Sequence, residues 1–144
     1  MDTKSLKPFN CSIVTPDDAV YEGEVLYASV PAWDGQVGVM HNQSPLLARL
    51  AIGPLRLDFV EGGRRWYLLE GGFAQMRDNN LTLLTEGATG AEQLVIEEAE
   101  AELAEARAQT GATAEERLEV EQQQRLAMAK VSLARGFESR GGTV

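Results

Sequence analysis

The hydrophobic pattern of this chain changes period once, and that change limits its possible folds more than any other feature. Before Gly87 the apolar residues come in short runs or alternate with polar ones, as Leu55, Leu57 and Phe59 do around Arg56 and Asp58. Alternation of that kind belongs to strands with one face buried. After Gly90 the glycines, prolines and β-branched residues thin out, and Ala, Glu, Gln, Leu and Arg take their place. Ile96, Ala99, Leu103 and Ala106 then recur at spacings of three and four, which sets them on one face of a helix. The expected fold class is therefore an N-terminal antiparallel β-sandwich over 1–88, followed by a C-terminal antiparallel α-helical hairpin over 89–144.

The β half centres on Val30–Leu57, which holds three of the five prolines and three of the fourteen glycines. Its apolar runs are too short for helices. Pro45 lacks an N–H and cannot sit mid-ladder in a central strand, and Gly53-Pro54 interrupts the run again. Around this stretch the expected strands are 9–15, 20–23, 25–30, 55–59, 65–70, 73–76 and 81–85. Pro16-Asp17-Asp18, Glu61-Gly62-Gly63-Arg64 and Asp78-Asn79-Asn80 supply the turns, and Gly71-Gly72 a bend or close crossing. Strands at this spacing give two packed antiparallel sheets.

In the helical half the expected helices are 91–109 and 114–135. Gly111 can take the left-handed position after the first helix, and Thr113 with Glu116 reads as a capping box for the second. The second helix is expected to seat Leu118, Leu126, Ala129 and Leu133 on the first. Much of this seam is alanine, so it buries modest area.

Charge and missing chemistry narrow the function. Thirteen Lys and Arg against 22 Asp and Glu leave a net charge of −9, which argues against nucleic-acid binding. Cys11 is the sole cysteine and sits in an apolar run, as a small core residue does. His41 is the sole histidine and reads as a turn residue, so neither a metal site nor a histidine triad is expected. Phosphate-loop, nucleophile-elbow and zinc-protease motifs are absent from the sequence. No apolar run reaches the roughly 20 residues that span a bilayer, and Met1–Lys7 carry no apolar segment of a secretory signal. The helical half is acidic from Glu92 to Glu121, then reverses sign with Arg125, Lys130, Arg135 and Arg140. Spaced by five, Arg125, Lys130 and Arg135 spread around the helix and cannot all pair with the acidic first helix at once. A non-catalytic protein that binds partners is the expectation.

A set of short motifs carries a resemblance along nearly the whole chain. They are Val14-Thr15-Pro16, Tyr21-Glu22-Gly23, Val30-Pro31, Gly35-Gln36-Val37-Gly38-Val39-Met40, Pro45-Leu46-Leu47, Gly53-Pro54-Leu55-Arg56, Gly71-Gly72-Phe73-Ala74 and Asn80-Leu81-Thr82-Leu83-Leu84. In this order, before an Ala/Glu helical hairpin, they resemble the epsilon-subunit family of bacterial F-type ATP synthases, whose mitochondrial counterpart is the delta subunit. The resemblance implies a subunit of the rotating stalk that touches the gamma subunit and the c-ring. It also implies a helical hairpin that meets an acidic loop of the catalytic alpha and beta subunits and inhibits ATP hydrolysis. It places the protein at the cytoplasmic face of the bacterial plasma membrane, held there only through the complex, with no cofactor of its own.

On that reading Trp33, Val37, Val39, Met40 and Leu46, which show no strict alternation, are expected to supply a patch for gamma or the c-ring. Arg125, Lys130 and Arg135 are expected to contact the catalytic subunits. Two stretches depart from the family. Where members often read L-P-G-H-A-P-L-L, this chain has Met40-His41-Asn42-Gln43-Ser44-Pro45-Leu46-Leu47. Where some carry an ATP-binding I/L-D-x-x-R-A, this chain has Ile96-Glu97-Glu98-Ala99-Glu100-Ala101, with Glu100 at the arginine's place, and ATP binding is not expected. The alternative from another class is a free-standing β-sandwich adaptor with a helical interaction hairpin.

Overall fold

The computed structural model describes residues 6–139. They form a β unit and a helical unit that divide between Thr89 and Gly90. In the first, β1 (Phe9–Val14), β2 (Ala19–Ala32), β3 (Gly35–Val39), β4 (Leu46–Phe59), β5 (Arg64–Arg77), β6 (Asn80–Leu84) and β7 (Ala88–Gly90) follow in order. The second begins with a 3₁₀ turn at Ala91–Gln93 and contains α1 (Ile96–Ala108) and α2 (Ala114–Ser139). The strand-then-helix class expected from the sequence is the one observed.

Three long strands turn a single sheet into the sandwich. Among the described residues the strands run β1-β6-β5-β4-β2-β3, β1 also pairs β2, and β7 lies on β5. The β1–β2 pairing closes the sheet into a barrel-like ring, which leaves few open edges. β2 joins the two expected strands 20–23 and 25–30 into one: its first half pairs with β1 and its second half with β3 and β4. β5 likewise runs through Gly71-Gly72, and β4 through Gly53-Pro54. One pairing differs from an all-antiparallel sandwich: β1 and β6 are parallel, Cys11 opposite Leu81 and Ile13 opposite Leu83.

The backbone explains why those strands bend without ending. Gly72 has φ +109, and a Cβ there would strike the carbonyl of Leu84 on β6, so only glycine fits. At Pro54 the β4–β5 ladder continues, with Pro54 opposite Leu68, while the β2–β4 ladder is irregular between Ser29 and Ala32. The missing N–H thus falls where that ladder is already interrupted. The Pro54 carbonyl accepts instead from the Gln36 side chain at 3.2 Å. Alternate residues fill the interior, among them Ile13, Val25, Leu55, Leu57, Tyr67 and Leu83. Cys11 is fully buried with them, and that burial pushes its thiol pKa up to about 12. Tyr21 is shifted upward as well, by burial first and the nearby Cys11 second.

The departure at Met40–Pro45 is settled by Asn42, which adopts φ +62, a left-handed conformation that asparagine tolerates as glycine does. Its N–H donates to Asn79 Oδ1 at 2.6 Å, and Asn79 Nδ2 returns a bond to Asn42 Oδ1 at 3.3 Å. Asn79 and Asp78 are themselves left-handed, forming the two-residue turn between β5 and β6. His41 lies in this loop with Nδ1 3.0 Å from the Pro8 carbonyl, a turn residue as expected.

In the helical unit α1 starts later than expected, because Leu94 and Val95 stay extended after the 3₁₀ turn and no side chain caps the helix. Gly111 is not left-handed; it is needed because a Cβ would lie 2.6 Å from the Arg117 nitrogen in the first turn of α2. Half of the expected capping box forms: Glu116 N–H donates to Thr113 Oγ1 at 3.1 Å, while Glu116 Oε2 accepts at 2.8 Å from the N–H of Ala112, one residue before the cap, instead of from Thr113. Ala99 and Ala106 are buried on α1, and Ala127, Val131, Ala134 and the expected Leu133 are buried on α2. Leu118, expected in the seam, is exposed. At 13 residues α1 spans about half the length of the 26-residue α2, so it cannot line the whole helix.

Candidate docking surface

The outward face of β1, β6, β5 and β4 departs from the inside-apolar, outside-polar rule. Leu81 and Leu83 point into the core from β6, and Ala74 and Met76 from β5, so Leu84 and Phe73 fall in the outward phase. They are opposite each other across the ladder, and Phe73 is in turn opposite Arg49. Val14 on β1 pairs with Leu84, which completes a row Val14–Leu84–Phe73–Arg49 across four strands. Trp33, at the tip between β2 and β3, extends the row. Its N–H donates to the Arg49 carbonyl at 2.8 Å, and the Arg49 guanidinium lies 4.5 Å from its ring centroid. A second row holds Ser12, Thr82, Gln75 and Leu47. Leu47, Trp33, Phe73 and Leu84 are exposed at 75%, 62%, 54% and 52%.

The residues expected to form the patch divide differently. Trp33 is on the surface. Val39 is fully buried in the core, because β3 pairs with β2 so that Val39 sits opposite the inward Ala28. Val39 therefore offers nothing to a partner. Val37 and Leu46 are half-buried and pack against the same core, and Met40 is half-buried. Leu47, Phe73, Leu84 and Arg49 were missed. The available signal was phase: each of the three apolar residues stands at an outward position of an alternating strand.

Arg125, Lys130 and Arg135 of α2 are each engaged within the helical unit. Lys130 Nζ lies 2.9 Å from Glu102 Oε2, and Arg135 reaches Glu100 Oε1 at 2.7 Å. Arg125 pairs along its own helix with Glu121 at 3.8 Å. The family's arginine position is thus occupied by a carboxylate that a cation of the facing helix meets. Arg140 lies outside the described residues. Gln124 Nε2 donates to the Ala106 carbonyl at 3.1 Å and ties down the end of α1.

Elsewhere the described residues contain no cluster of three side chains able to hold a metal, and no helix among them is long and apolar enough to cross a membrane. An open depression by the β4–β5 hairpin is lined by Leu26, Asp58, Phe59, Gly62, Gly63 and Arg64. Its charges are already matched, with Asp58 taking Arg56 at 3.1 Å and Arg64 at 3.9 Å.

Comparison with known proteins places the chain. Residues 8–91 match the family described as ATP synthase, Delta/Epsilon chain, beta-sandwich domain. The ATP synthase epsilon chain of Rhodopirellula baltica is 38% identical over 96 residues, covering 67% of this chain and 74% of the relative. The chloroplastic epsilon chain of Porphyra purpurea is 35% identical over 129 residues, covering 87% of this chain and 94% of the relative. Among solved structures, a chain of the Euglena gracilis mitochondrial ATP synthase (OSCP/F1/c-ring) superposes with a TM-score of 0.76 at 22% identity, covering 85% of this chain and 78% of that one. A chain of the Tetrahymena thermophila mitochondrial ATP synthase central stalk and c-ring superposes at 0.68 and 14% identity, covering 90% and 98%. At these identities the two structures speak to fold alone.

Proposed function

This chain belongs to the delta/epsilon family of F-type ATP synthases, and we propose that it is the non-catalytic stalk subunit that couples the c-ring and gamma to the catalytic head. The observation that carries this is the family match across the β unit, extended into the helical unit by a relative aligned over 129 residues. The face of Trp33, Leu47, Phe73 and Leu84 is suited to docking on the stalk, since a contiguous exposed apolar surface marks an interaction site. The complex holds the protein at the cytoplasmic face of the bacterial membrane, where proton flow drives rotation.

The helical unit regulates. Arg125, Lys130 and Arg135 contact an acidic loop of the catalytic subunits and block ATP hydrolysis. Their pairs with Glu121, Glu102 and Glu100 are at most partly buried, so a loop with better-placed carboxylates can exchange for them at small cost. Two measurements test the reading. The tagged chain should co-purify with gamma and the catalytic subunits; a chain that comes down without them is an adaptor. Removing residues 114–144 should raise hydrolysis by the assembled enzyme while leaving coupling intact, and unchanged hydrolysis at low salt would show that the tail is no inhibitor.

A further inference from the structure

We infer that the Trp33–Phe73–Leu84 face docks an apolar segment of a neighbouring stalk subunit carrying a carboxylate, and that this carboxylate seats on Arg49. The inference rests on the stalk reading and adds the chemistry of the partner.

Charge is the first argument. The outward positions of the four strands are Asn10, Ser12 and Val14 on β1, Asn80, Thr82 and Leu84 on β6, Phe73, Gln75 and Arg77 on β5, and Leu47 and Arg49 on β4. With Trp33 they make twelve positions without one acid. With 22 acids in 144 residues, about one in seven, an even spread would place about two there. Within these twelve positions the only charges are Arg49 and Arg77, and Arg77 already lies 3.6 Å from Asp78 of the adjoining turn; the acids Glu22 and Glu24 begin beyond β1, on β2 opposite Ser12 and Asn10. On a chain of net charge −9, an acid-free cationic face fits an acidic partner.

Arg49 itself is the second. Among the described residues its recorded interactions are the stack on Trp33 and the bond from the Trp33 N–H to its carbonyl, with no carboxylate in reach. A guanidinium held over an aromatic ring can still offer its edge N–H groups as a fork that matches a carboxylate. Trp and Arg surrounded by apolar residues are also the composition that carries binding energy in interfaces. Once a partner covers Leu47, Phe73 and Leu84, Arg49 loses its water. A guanidinium dried without a counter-charge opposes binding, so the partner that fits is one that brings an acid to this point.

The test uses the full chain titrated onto the enzyme stripped of this subunit. Arg49→Glu should weaken binding roughly 30-fold or more and Arg49→Leu about tenfold, both at wild-type melting temperature. Gln75→Cys crosslinking locates the facing segment, since buried Cys11 stays silent, and an acid-to-lysine change there should restore binding to Arg49→Glu. If Arg49→Glu binds as tightly as wild type while Phe73→Asp or Leu84→Asp fails to bind, the carboxylate inference is overturned and the docking face stands. Should all of these variants bind normally, the face docks nothing and both fall. Self-association of the free chain that Arg49→Glu abolishes would assign the face to a second copy and overturn the inference as well.

Discussion

On the proposed regulatory role of the helical unit, neutralising the carboxylates that hold Lys130 and Arg135 should strengthen inhibition of ATP hydrolysis. In Glu100→Gln with Glu102→Gln, Arg135 and Lys130 lose their partners at 2.7 and 2.9 Å, while side-chain shape and helix propensity change little. The Arg135 pair is open to water, with side chains 64% and 47% exposed, so solvent screening holds it near the low end of about 0.2–1 kcal/mol. The Lys130 side chain is 24% exposed, so its pair falls near the high end. Together they are worth roughly 1.2 kcal/mol. If the inhibited state must break both pairs to engage the catalytic subunits, removing that cost favours it by roughly 5–10-fold. The assay is ATP hydrolysis by the assembled enzyme at about 10 mM salt, repeated near 1 M, where charges are screened within about 3 Å and the difference should vanish. Glu97→Gln with Glu105→Gln changes the net charge equally without touching either pair, and should have a smaller effect. Hydrolysis by the Glu100/Glu102 variant equal to or faster than wild type at low salt would refute the exchange of partners.

Three further outcomes follow from the geometry. Gly72→Ala should cost about 3 kcal/mol or more in urea unfolding, because it adds strain at φ +109 and a clash with the Leu84 carbonyl; Gly62→Ala, at φ +94 in open space, should cost clearly less. Because the folded pKa of Cys11 lies near 12 against 9.0 unfolded, its contribution to stability is complete below pH 9 and is lost as pH rises toward 12. Tyr21 shifts in the same direction, so alkaline melting curves should fall across that window, less steeply in Cys11→Ala. Calorimetric titration of ATP into the isolated chain should give a dissociation constant weaker than about 1 mM, since Glu100 is a like charge held by Arg135; micromolar binding would overturn this.

The class of fold was legible because period is a local property. Alternation through Leu55, Leu57 and Phe59, then spacings of three and four after Ile96, needs no knowledge of neighbours. Strand continuity does need it. Gly71-Gly72 reads in isolation as a bend or close crossing between strands 65–70 and 73–76, and these form one strand only because β4 and β6 supply ladder partners on either side. The parallel pairing of β1 with β6 was out of reach for the same reason: it joins segments about seventy residues apart, and nothing in either strand states its partner's direction. Asn42 stands between these cases. Its tolerance of a left-handed backbone is local, but the bond to Asn79 that pins the loop is not.

The proposed docking face shows why a partner surface is harder to read than a core. Both are apolar, and the sequence distinguishes them only through phase, which fails where strands bend or bulge. Between Val30 and Pro45 the phase is lost, so Val39 and Trp33 looked equivalent there, although one is fully buried and the other open to solvent. In the regular stretches Phe73–Arg77 and Asn80–Leu84 the phase holds, and an apolar residue in the outward register is then a signal with a physical cost behind it. Exposed Phe73 and Leu84 gain nothing for a solitary domain and invite aggregation. Their cross-strand alignment with Arg49 concentrates that cost in a single row across the sheet, and a partner that covers the row turns the liability into binding energy.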